Sequence, residues 1–314
     1  MIGKTLSSVQ PGNAAFKEDA MFNRIIVGID GLSGGRDALA LARELVGEHG
    51  EITLAHVYLE SQIPSRDAPG IFQAGEARHA RELLESARAE AGLNAELRPV
   101  CAHHVGRGLH ELAESLRADL IVVGSSRNGL LGRVVQGDDM RAALNAAPCG
   151  VAIAPSGYAE RPTLMGEIGV GYNGSSESAA ALDLARALAA ERGARVSVFE
   201  AVSLPARAYA DARHPGAETL EREIEAARER LAELGDVEVH AAYGDPAEEL
   251  ALYGASVDLL IVGSRGYGPL GRMIHGHTSL RLARRARCPL LVLPRAMAAD
   301  QDGERASETV ATVH

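Results

Sequence analysis

The feature that most constrains the fold of this chain is an internal repeat. Residues 119–137 align without gaps with residues 258–276 at a constant offset of 139, and ten of the nineteen paired residues are identical. A second pairing joins residues 27–31 to residues 170–174 at an offset of 143. Because self-similarity of this kind marks repeated structural units, the chain is predicted to contain two copies of one domain.

The repeat also sets the predicted domain boundaries. The two copies are expected at residues 22–156 and 165–295, joined by a linker over residues 157–164. A length of 314 residues accommodates two domains of ordinary size. The remaining segments are polar and lack periodicity, so residues 1–21 are predicted to form a flexible tail and residues 296–314 a disordered one.

Within each copy, short apolar segments alternate with segments of helical spacing. In the first copy the predicted strands are residues 23–30, 52–58, 96–102, 119–124 and 150–154, and the predicted helices are residues 36–48, 71–91, 109–116 and 138–145. Nearly continuous apolar strands separated by helices are typical of a parallel sheet covered on both faces. The predicted fold class is therefore α/β, with two tandem copies of a doubly wound, five-stranded parallel sheet.

Composition excludes several classes of function. A net charge of −10 argues against a general binder of nucleic-acid backbones, and the absence of Trp argues against a base-stacking platform. The only lysines are Lys4 and Lys17, both in the N-terminal tail. Chemistry that needs a positioned lysine in the core, such as that of a Walker motif or a Schiff base, is therefore disfavoured.

The sequence predicts a cytoplasmic protein. No apolar run approaches the roughly 18 residues that a membrane helix needs, and the first twenty residues lack the apolar segment of a secretory signal. Three cysteines cannot form a disulfide framework and lack zinc-site spacing, which fits a reducing compartment. Cys149 and Cys288, which precede the final strand of each copy, are expected to be small buried packing residues.

A glycine-rich segment follows the fourth strand of the second copy. It reads GSRG, then nine residues, then GHTS. Glycines after a strand let backbone N–H groups face a ligand, and a following helix presents its N-terminus to an anion. This arrangement suits phosphate groups, although glycines that only form tight turns give the same pattern. The candidate phosphate-binding residues are Gly263, Ser264, Arg265, Gly266, Gly276, His277, Thr278 and Ser279.

Both copies resemble the universal stress protein family, whose ATP-binding members carry G-x2-G-x9-G-[ST] after the fourth strand and a V-x-x-D-x-S loop after the first. The resemblance covers almost all of residues 23–294 and is of the tandem, two-domain type. It implies an adenine-nucleotide alpha hydrolase-like fold, ATP as the ligand with or without Mg²⁺, and domain pairing through the last strand. The expected function is that of a sensor or regulator of stress responses that binds the nucleotide mainly in the second domain. Slow ATP hydrolysis at most is expected, because the sequence offers no base for an attacking water.

The second copy matches the family's motifs incompletely. His277 stands where Ser or Thr is usual, and Asn173 stands where the family has an acid. An amide can still hydrogen-bond a ribose hydroxyl. Tyr172 is expected either to stack on adenine or to pack at the edge of the sheet. The residues expected around adenosine are Gly171, Tyr172, Asn173 and Ala201.

The first copy departs from the pattern in the opposite way. Asp30 is present in its first loop, but Arg127 replaces the second glycine, and Asp138 follows Gly137. Asp138 and Asp139 would place two carboxylates at a helix N-terminus, where they repel a triphosphate, so our hypothesis is a self-filled site in which Arg127 pairs with Asp138 or Asp139. The residues of this degenerate site are Gly28, Ile29, Asp30, Val57, Gly124, Arg127, Gly137 and Asp138.

Two alternatives stay open at this point. A nucleotide-free interaction module fits the departures from the motif. The loop SGGRDA at residues 33–38 approaches the S-G-G-x-D-S loop of PP-loop ATP pyrophosphatases, but it lacks the final serine. No catalytic residues and no metal site are predicted, because no nucleophile, base or ligand set has the required spacing.

The final strand of each copy is apolar and needs a partner. An unpaired edge at residues 151–154 or 290–293 would invite aggregation. The two domains are therefore expected to pair within the chain, or two chains to form a homodimer. No membrane or nucleic-acid partner is expected.

Overall fold

The structure is a computed structural model, which describes residues 22–60, 69–125, 147–202, 217–264 and 277–294. The first half contains β1 (Phe22–Gly28), α1 (Ser33–Leu45), β2 (Val46–Leu59), α2 (Pro69–Ala91), β3 (Glu96–Ala102), α3 (Val105–Leu116), β4 (Leu120–Gly124) and β5 (Gly150–Ala154). The second half contains β6 (Glu167–Gly171), α4 (Ser176–Arg192), β7 (Arg195–Val202), α5 (Ala217–Ala232), β8 (Glu238–Tyr243), α6 (Pro246–Tyr253), β9 (Leu259–Gly263), α7 (His277–Arg285) and β10 (Leu290–Leu293). A 3₁₀ turn at Tyr158–Glu160 lies between the halves.

The strands form one ten-stranded sheet in the order β3-β2-β1-β4-β5-β10-β9-β6-β7-β8. Each half is parallel and has the doubly wound order 3-2-1-4-5. This confirms the predicted fold class of two tandem α/β domains. The chain adds strands on one side of β1 and then on its other side, and it does the same around β6. Each half therefore contains one crevice at the carboxyl ends of its strands, where the direction of strand addition reverses.

The two halves join through their last strands. β5 and β10 pair antiparallel, with Leu291 opposite Ala152. The apolar edges that the sequence left without a partner therefore cover each other within one chain. The pairing expected within the chain is present in the structure, whereas a homodimer stays a prediction.

Both faces of the sheet are covered by apolar clusters that include residues of both halves. Alternating strand residues go to opposite faces: Ile25 and Val27 belong to one cluster and Ile26 to the other. Helices α1 and α4 contribute to the first cluster, while α3, α6 and α7 contribute to the second. None of the helices in the described part of the chain has the length and apolar character of a membrane span.

Several predicted boundaries shift. The helix predicted to reach residue 48 ends at Leu45, because Val46 is extended and pairs with Phe22 at the start of a longer β2. Helix α3 begins at Val105, four residues before the predicted start. Gly108 lets the first turn of this helix pack closely on the strands, because a Cβ there would lie only 2.9 Å from the side chains of Ala102 and Val57. The helix predicted at residues 138–145, and both predicted tails, lie outside the described residues.

The side chain of Asp37 holds the linker against the first domain by hydrogen bonds. This α1 residue is only 2% exposed, and its carboxylate accepts the N–H groups of Gly157 at 2.9 Å and Ala159 at 2.8 Å. At the far end of the same helix, Glu44 pairs with Arg192 at the end of α4 over 3.3 Å. Helices α1 and α4 are therefore linked by polar contacts in addition to the shared sheet.

We expect the Asp37→Ala substitution to lower the free energy of unfolding by about 2–3 kcal/mol, because two backbone N–H groups lose a buried acceptor. Asp37→Asn keeps one acceptor oxygen and should lose about half as much. Urea unfolding followed by circular dichroism measures both changes. A loss below about 0.5 kcal/mol for the alanine variant would show that solvent or another group serves these N–H groups.

The cysteines before β5 and β10 are buried, as the sequence predicts. Cys149 is 3% exposed and Cys288 is 6% exposed, whereas Cys101 is exposed. Burial, with a smaller contribution from the carboxylates of Asp119 for Cys149 and of Asp258 for Cys288, raises the pKa of both thiols to about 12. At neutral pH these thiols stay protonated, so they act as packing groups.

A thiol titration at pH 8 tests this assignment. Because the thiolate is the reactive form, we expect one fast-reacting thiol per native chain, that of Cys101, and three after unfolding. Cys101→Ser should remove the fast phase. Three fast thiols in the native protein would contradict the burial of Cys149 and Cys288.

Candidate functional site

The main candidate site lies where the strand order of the second domain reverses. β6 has β7 on one side and β9 on the other, so a crevice opens beyond the carboxyl ends of these three strands. Helices α6 and α7 flank this crevice through Leu250 and Leu282. Open α/β sheets bind ligands at this position.

The crevice holds a cavity of about 140 Å³. It is lined by Gly171, Tyr172, Asn173, Ser175, Ser178, Phe199, Ala201, Pro246, Leu250, Val262, Gly263, Thr278, Ser279 and Leu282. Apolar side chains from β7, β9, α6 and α7 form the inner part, and hydroxyl and amide groups lie toward the loops. The cavity therefore combines an apolar compartment with hydrogen-bonding groups, as small-molecule sites do.

The floor of the cavity is held by an aromatic stack. The ring of Phe199 packs on that of Tyr253 with centroids 4.9 Å apart, and the Tyr253 hydroxyl hydrogen-bonds Ser197 Oγ at 2.5 Å. Burial raises the pKa of Tyr253 to about 12, so the phenol stays neutral. Because Phe199 cannot move without disturbing this pair, the floor presents a fixed apolar surface.

The polar side of the cavity is formed by the loop between β6 and α4. Asn173 Oδ1 accepts the N–H of Ser175 at 3.1 Å, and Ser175 Oγ accepts the N–H of Ser178 at 3.2 Å as the cap of α4. The Ser178 hydroxyl donates to the Ser175 carbonyl at 2.8 Å. These local bonds fix the loop, so its polar groups occupy defined positions beside the cavity.

The first turn of α7 forms the opposite side. Thr278 and Ser279 line the cavity there, and the first N–H groups of a helix lack partners within the helix. Arg281 ties this helix to α6: its guanidinium contacts Asp245 Oδ2 at 2.8 Å and Glu248 Oε1 at 3.3 Å. The hydrogen bond from Arg281 is the largest cause of the lowered pKa of Asp245. Helix α7 therefore brings a helix N-terminus, which favours anions, to the cavity.

Gly263 has a structural role that the motif alone did not reveal. A Cβ at this position would lie 2.6 Å from Glu177 Cβ, so the first turn of α4 can approach β9 only because residue 263 is glycine. In the first domain, a Cβ at Gly124 would likewise clash with the backbone of Gly34 in the first turn of α1. These glycines are therefore required for helix–strand packing, although Gly263 also lines the cavity.

The equivalent place in the first domain is nearly closed. Gly28, Ile29, Asp30 and Val57 line a cavity of only about 20 Å³. Asp30 is 7% exposed, and its Oδ1 accepts the N–H groups of Leu32 and Gly35, both at 2.9 Å. The carboxylate that the family pattern places beside a ligand thus stabilises its own loop here.

One substitution between the copies and one close helix contact narrow the crevice of the first domain. The pairing of Gly28 with Ala55, and of Gly171 with Phe199, makes Val57 the counterpart of Ala201. Valine fills space that alanine leaves open. Gly108 lets α3 approach Val57 closely, as its Cβ distance shows, and so narrows the crevice further.

The structure brings together seven of the residues predicted for the second copy. Gly171, Tyr172, Asn173, Ala201, Gly263, Thr278 and Ser279 all line the cavity. Tyr172 also packs against the core, as one of its two expected roles requires, whereas stacking on adenine stays a prediction. Ser264 donates its N–H to Leu293 at 2.8 Å and does not line the cavity. His277 begins α7.

The remaining predicted residues cannot be placed. Arg265, Gly266 and Gly276 lie outside the described residues, as do Arg127, Gly137 and Asp138 of the proposed self-filled site. The Arg127–Asp138 pair therefore stays a hypothesis. Among the described residues, no group of three or more histidine, cysteine or acidic side chains can hold a metal ion.

Sequence reasoning missed the apolar half of the site. Phe199, Leu250 and Leu282 line the cavity but carry no motif, and in the sequence they are ordinary core residues of a strand and two helices. Comparison of the two copies was the available signal. Phe199 pairs with the last residue of β6, and its counterpart Ala55 pairs with the last residue of β1. This difference in side-chain size marks a place where the two crevices have different linings.

Comparison with known proteins agrees with this architecture. The universal stress protein family model matches residues 21–155 and 165–294. The universal stress protein Rv2005c of Mycobacterium tuberculosis is 27% identical over 284 residues, covering 85% of this chain and 96% of that protein. The universal stress protein YxiE of Bacillus subtilis is 30% identical over 141 residues, covering 40% of this chain and 95% of that protein.

A solved structure shares the fold across both domains. The crystal structure of a universal stress protein from Archaeoglobus fulgidus covers 87% of this chain and 96% of its own, with a TM-score of 0.60 and 19% identity. Since the family model matches both halves, this chain belongs to the universal stress protein family and carries two such domains in tandem.

Proposed function

We propose that this protein binds an adenine nucleotide, ATP or a close relative, in the cavity of its second domain and acts as a sensor or regulator in stress responses. The observation that carries the proposal is the asymmetry between the copies: about 140 Å³ in the second domain against about 20 Å³ in the first. A tandem protein whose described residues form one large and one small cavity is suited to bind one ligand per chain.

The lining suits the three parts of a nucleotide. Phe199, Leu250 and Val262 offer apolar surface to a flat base. Thr278 and Ser279, at the start of α7, offer hydroxyl groups and a helix N-terminus to phosphates. Asn173 lies on the loop after β6 and lines the cavity, and we assign it to the sugar.

Binding without rapid turnover fits the same lining. The described cavity residues include no His, Asp, Glu, Lys or Cys, so they supply no general base to activate a water molecule. Mg²⁺, when present, would be carried by the nucleotide phosphates, because carboxylate ligands are lacking among these lining residues. We therefore propose regulation by occupancy, with slow hydrolysis at most.

A count of bound nucleotide tests the proposal. Freshly purified protein is denatured, the released small molecules are identified by mass spectrometry, and the stripped protein is titrated with Mg-ATP in a calorimeter. We expect a stoichiometry near one adenine nucleotide per chain. No nucleotide and no binding heat would overturn the proposal in favour of a nucleotide-free interaction module. Two per chain would show that the first domain also binds, and pyrophosphate release with an acceptor would indicate a pyrophosphatase.

A further inference from the structure

A network of ion pairs joins the two helices that flank the second-domain cavity. Arg281 of α7 contacts Asp245 Oδ2 at 2.8 Å and Glu248 Oε1 at 3.3 Å. Arg285, one turn further along α7, contacts the same Glu248 oxygen at 2.7 Å. Asp245 is the N-cap of α6, and Glu248 lies in the first turn of that helix. We call these four residues the α6–α7 clamp.

Both helices joined by the clamp contribute to the wall of the cavity. Pro246 and Leu250 line it from α6, and Thr278, Ser279 and Leu282 line it from α7. Among the described elements, α6 is the one on which α7 packs most closely. The contacts with α6 are apolar through the buried Leu282 and ionic through the clamp. They therefore largely set the position of the α7 part of the wall.

The first copy cannot form the same ion pairs. Helices α3 and α6 are equivalent, because each lines the cavity of its own copy and follows the third strand of that copy. The counterparts of Asp245, Glu248, Arg281 and Arg285 in the first copy are His104, Arg107, Ala142 and Ala146. Arg107 pairs instead with Glu111 of its own helix at 2.7 Å. The clamp thus belongs to the copy with the larger cavity, about 140 Å³ against about 20 Å³.

The contacts of Arg281 indicate an action through the helices. Arg281 is not one of the described residues that line the cavity, and two carboxylates engage its guanidinium. Ion pairs that are partly exposed contribute little to overall stability. They can still decide where a helix lies. A ligand binds only the molecules in which both parts of the wall are in place, and a smaller fraction of such molecules raises the apparent Kd by the same factor.

We propose that Arg281 is a positioning residue of the second-domain site: by binding Asp245 and Glu248, it keeps the first turn of α7 at the wall of the cavity. Loss of the clamp lets α7 leave this position while the core of the domain stays folded. This inference rests on the proposed function, because the effect is measured as a change in nucleotide affinity.

Two variants break the clamp while they change the charge of the protein in opposite directions. Arg281→Met removes a positive charge and keeps a long side chain. Asp245→Asn removes a negative charge; its Oδ1 can still accept the N–H groups of Ala247 and Glu248 that cap α6, and its Nδ2 then faces the guanidinium as a second donor. Because ATP is an anion, charge alone would weaken binding in the first variant and strengthen it in the second. The positioning role predicts weaker binding in both.

Calorimetric titration of the full chain with Mg-ATP measures the Kd of each variant, and circular dichroism checks that each one folds. We expect the Kd to rise about fivefold in both Arg281→Met and Asp245→Asn. The matched control is Arg107→Met, which breaks the Arg107–Glu111 pair on the equivalent helix of the first copy. It should leave the Kd unchanged within about twofold.

The outcomes separate this inference from the proposed function. A Kd that stays unchanged in Arg281→Met overturns the inference and leaves nucleotide binding intact. A Kd that falls or stays unchanged in Asp245→Asn shows that Arg281 acts by its charge and also overturns it, as does an equal rise in the Arg107→Met control. No binding by the unmodified protein overturns the proposed function and this inference with it.

A second pair of variants serves if either of the first two fails to fold. Arg281→Lys keeps the charge but lacks the planar fork that engages two carboxylates, and Glu248→Gln removes one of these carboxylates. We expect each to raise the Kd for Mg-ATP about threefold. An unchanged Kd in both overturns the inference.

Discussion

Ala201→Leu is expected to weaken ATP binding about 100-fold, equivalent to about 2.8 kcal/mol. Ala201 lines the cavity beside Phe199, and a leucine side chain would occupy much of its roughly 140 Å³. The first domain shows the direction of this effect, because Val57 at the equivalent position accompanies a cavity of about 20 Å³. Calorimetric titration with Mg-ATP measures the change in Kd.

The matched control for this prediction is Val57→Ile in the first domain. It enlarges the equivalent side chain by one methylene and should leave the Kd for ATP unchanged within about twofold, since we place the nucleotide in the other copy. Thermal unfolding of both variants confirms that they fold. Retained affinity in Ala201→Leu, or a loss confined to Val57→Ile, would contradict the location of the site.

Gly263→Ala is expected to lower the free energy of unfolding by about 3 kcal/mol. The new methyl group would lie 2.6 Å from Glu177 Cβ and close to the backbone of the same residue, so α4 must move away from β9. Backbone atoms cannot yield as a flexible side chain can, and this makes the effect large. Urea unfolding measures the loss.

Gly75→Ala serves as the control for an added methyl group. A Cβ at Gly75, in the second turn of α2, meets nothing within 4 Å, and alanine favours helix more than glycine. We therefore expect a gain of about 0.5–1 kcal/mol there. Equal stability of Gly263→Ala and the unmodified protein would contradict the packing role of Gly263.

Much of the fold depends on local sequence patterns, so the sequence predicted many of the strands and the tandem arrangement. The strands Glu96–Ala102 and Gly150–Ala154 have the predicted bounds, because apolar runs between polar turns leave little freedom in where a strand ends. The tandem arrangement was visible in the repeat itself. The predicted start of β2 was wrong. Val46 is extended because it pairs with Phe22, and helical spacing cannot reveal such a contact between strands.

The candidate site was only partly predictable for the same reason. Polar and glycine residues such as Asn173 and Thr278 stand out in a loop, so the sequence placed them correctly beside the crevice. The apolar floor depends on which core side chains remain beside an opening. The size of the opening depends on the smaller side chain of Ala201 compared with Val57, and on the close approach of α3 to Val57 that Gly108 allows.

The most direct test of the central claim is photolabelling with 8-azido-ATP, followed by mass spectrometry of the labelled peptides. Our account predicts label on second-domain segments that line the cavity, in β7 (Arg195–Val202) or α6 (Pro246–Tyr253), and loss of that label when unlabelled ATP is added. Label on residues 22–60 or 96–125, or label that excess ATP does not displace, would contradict it.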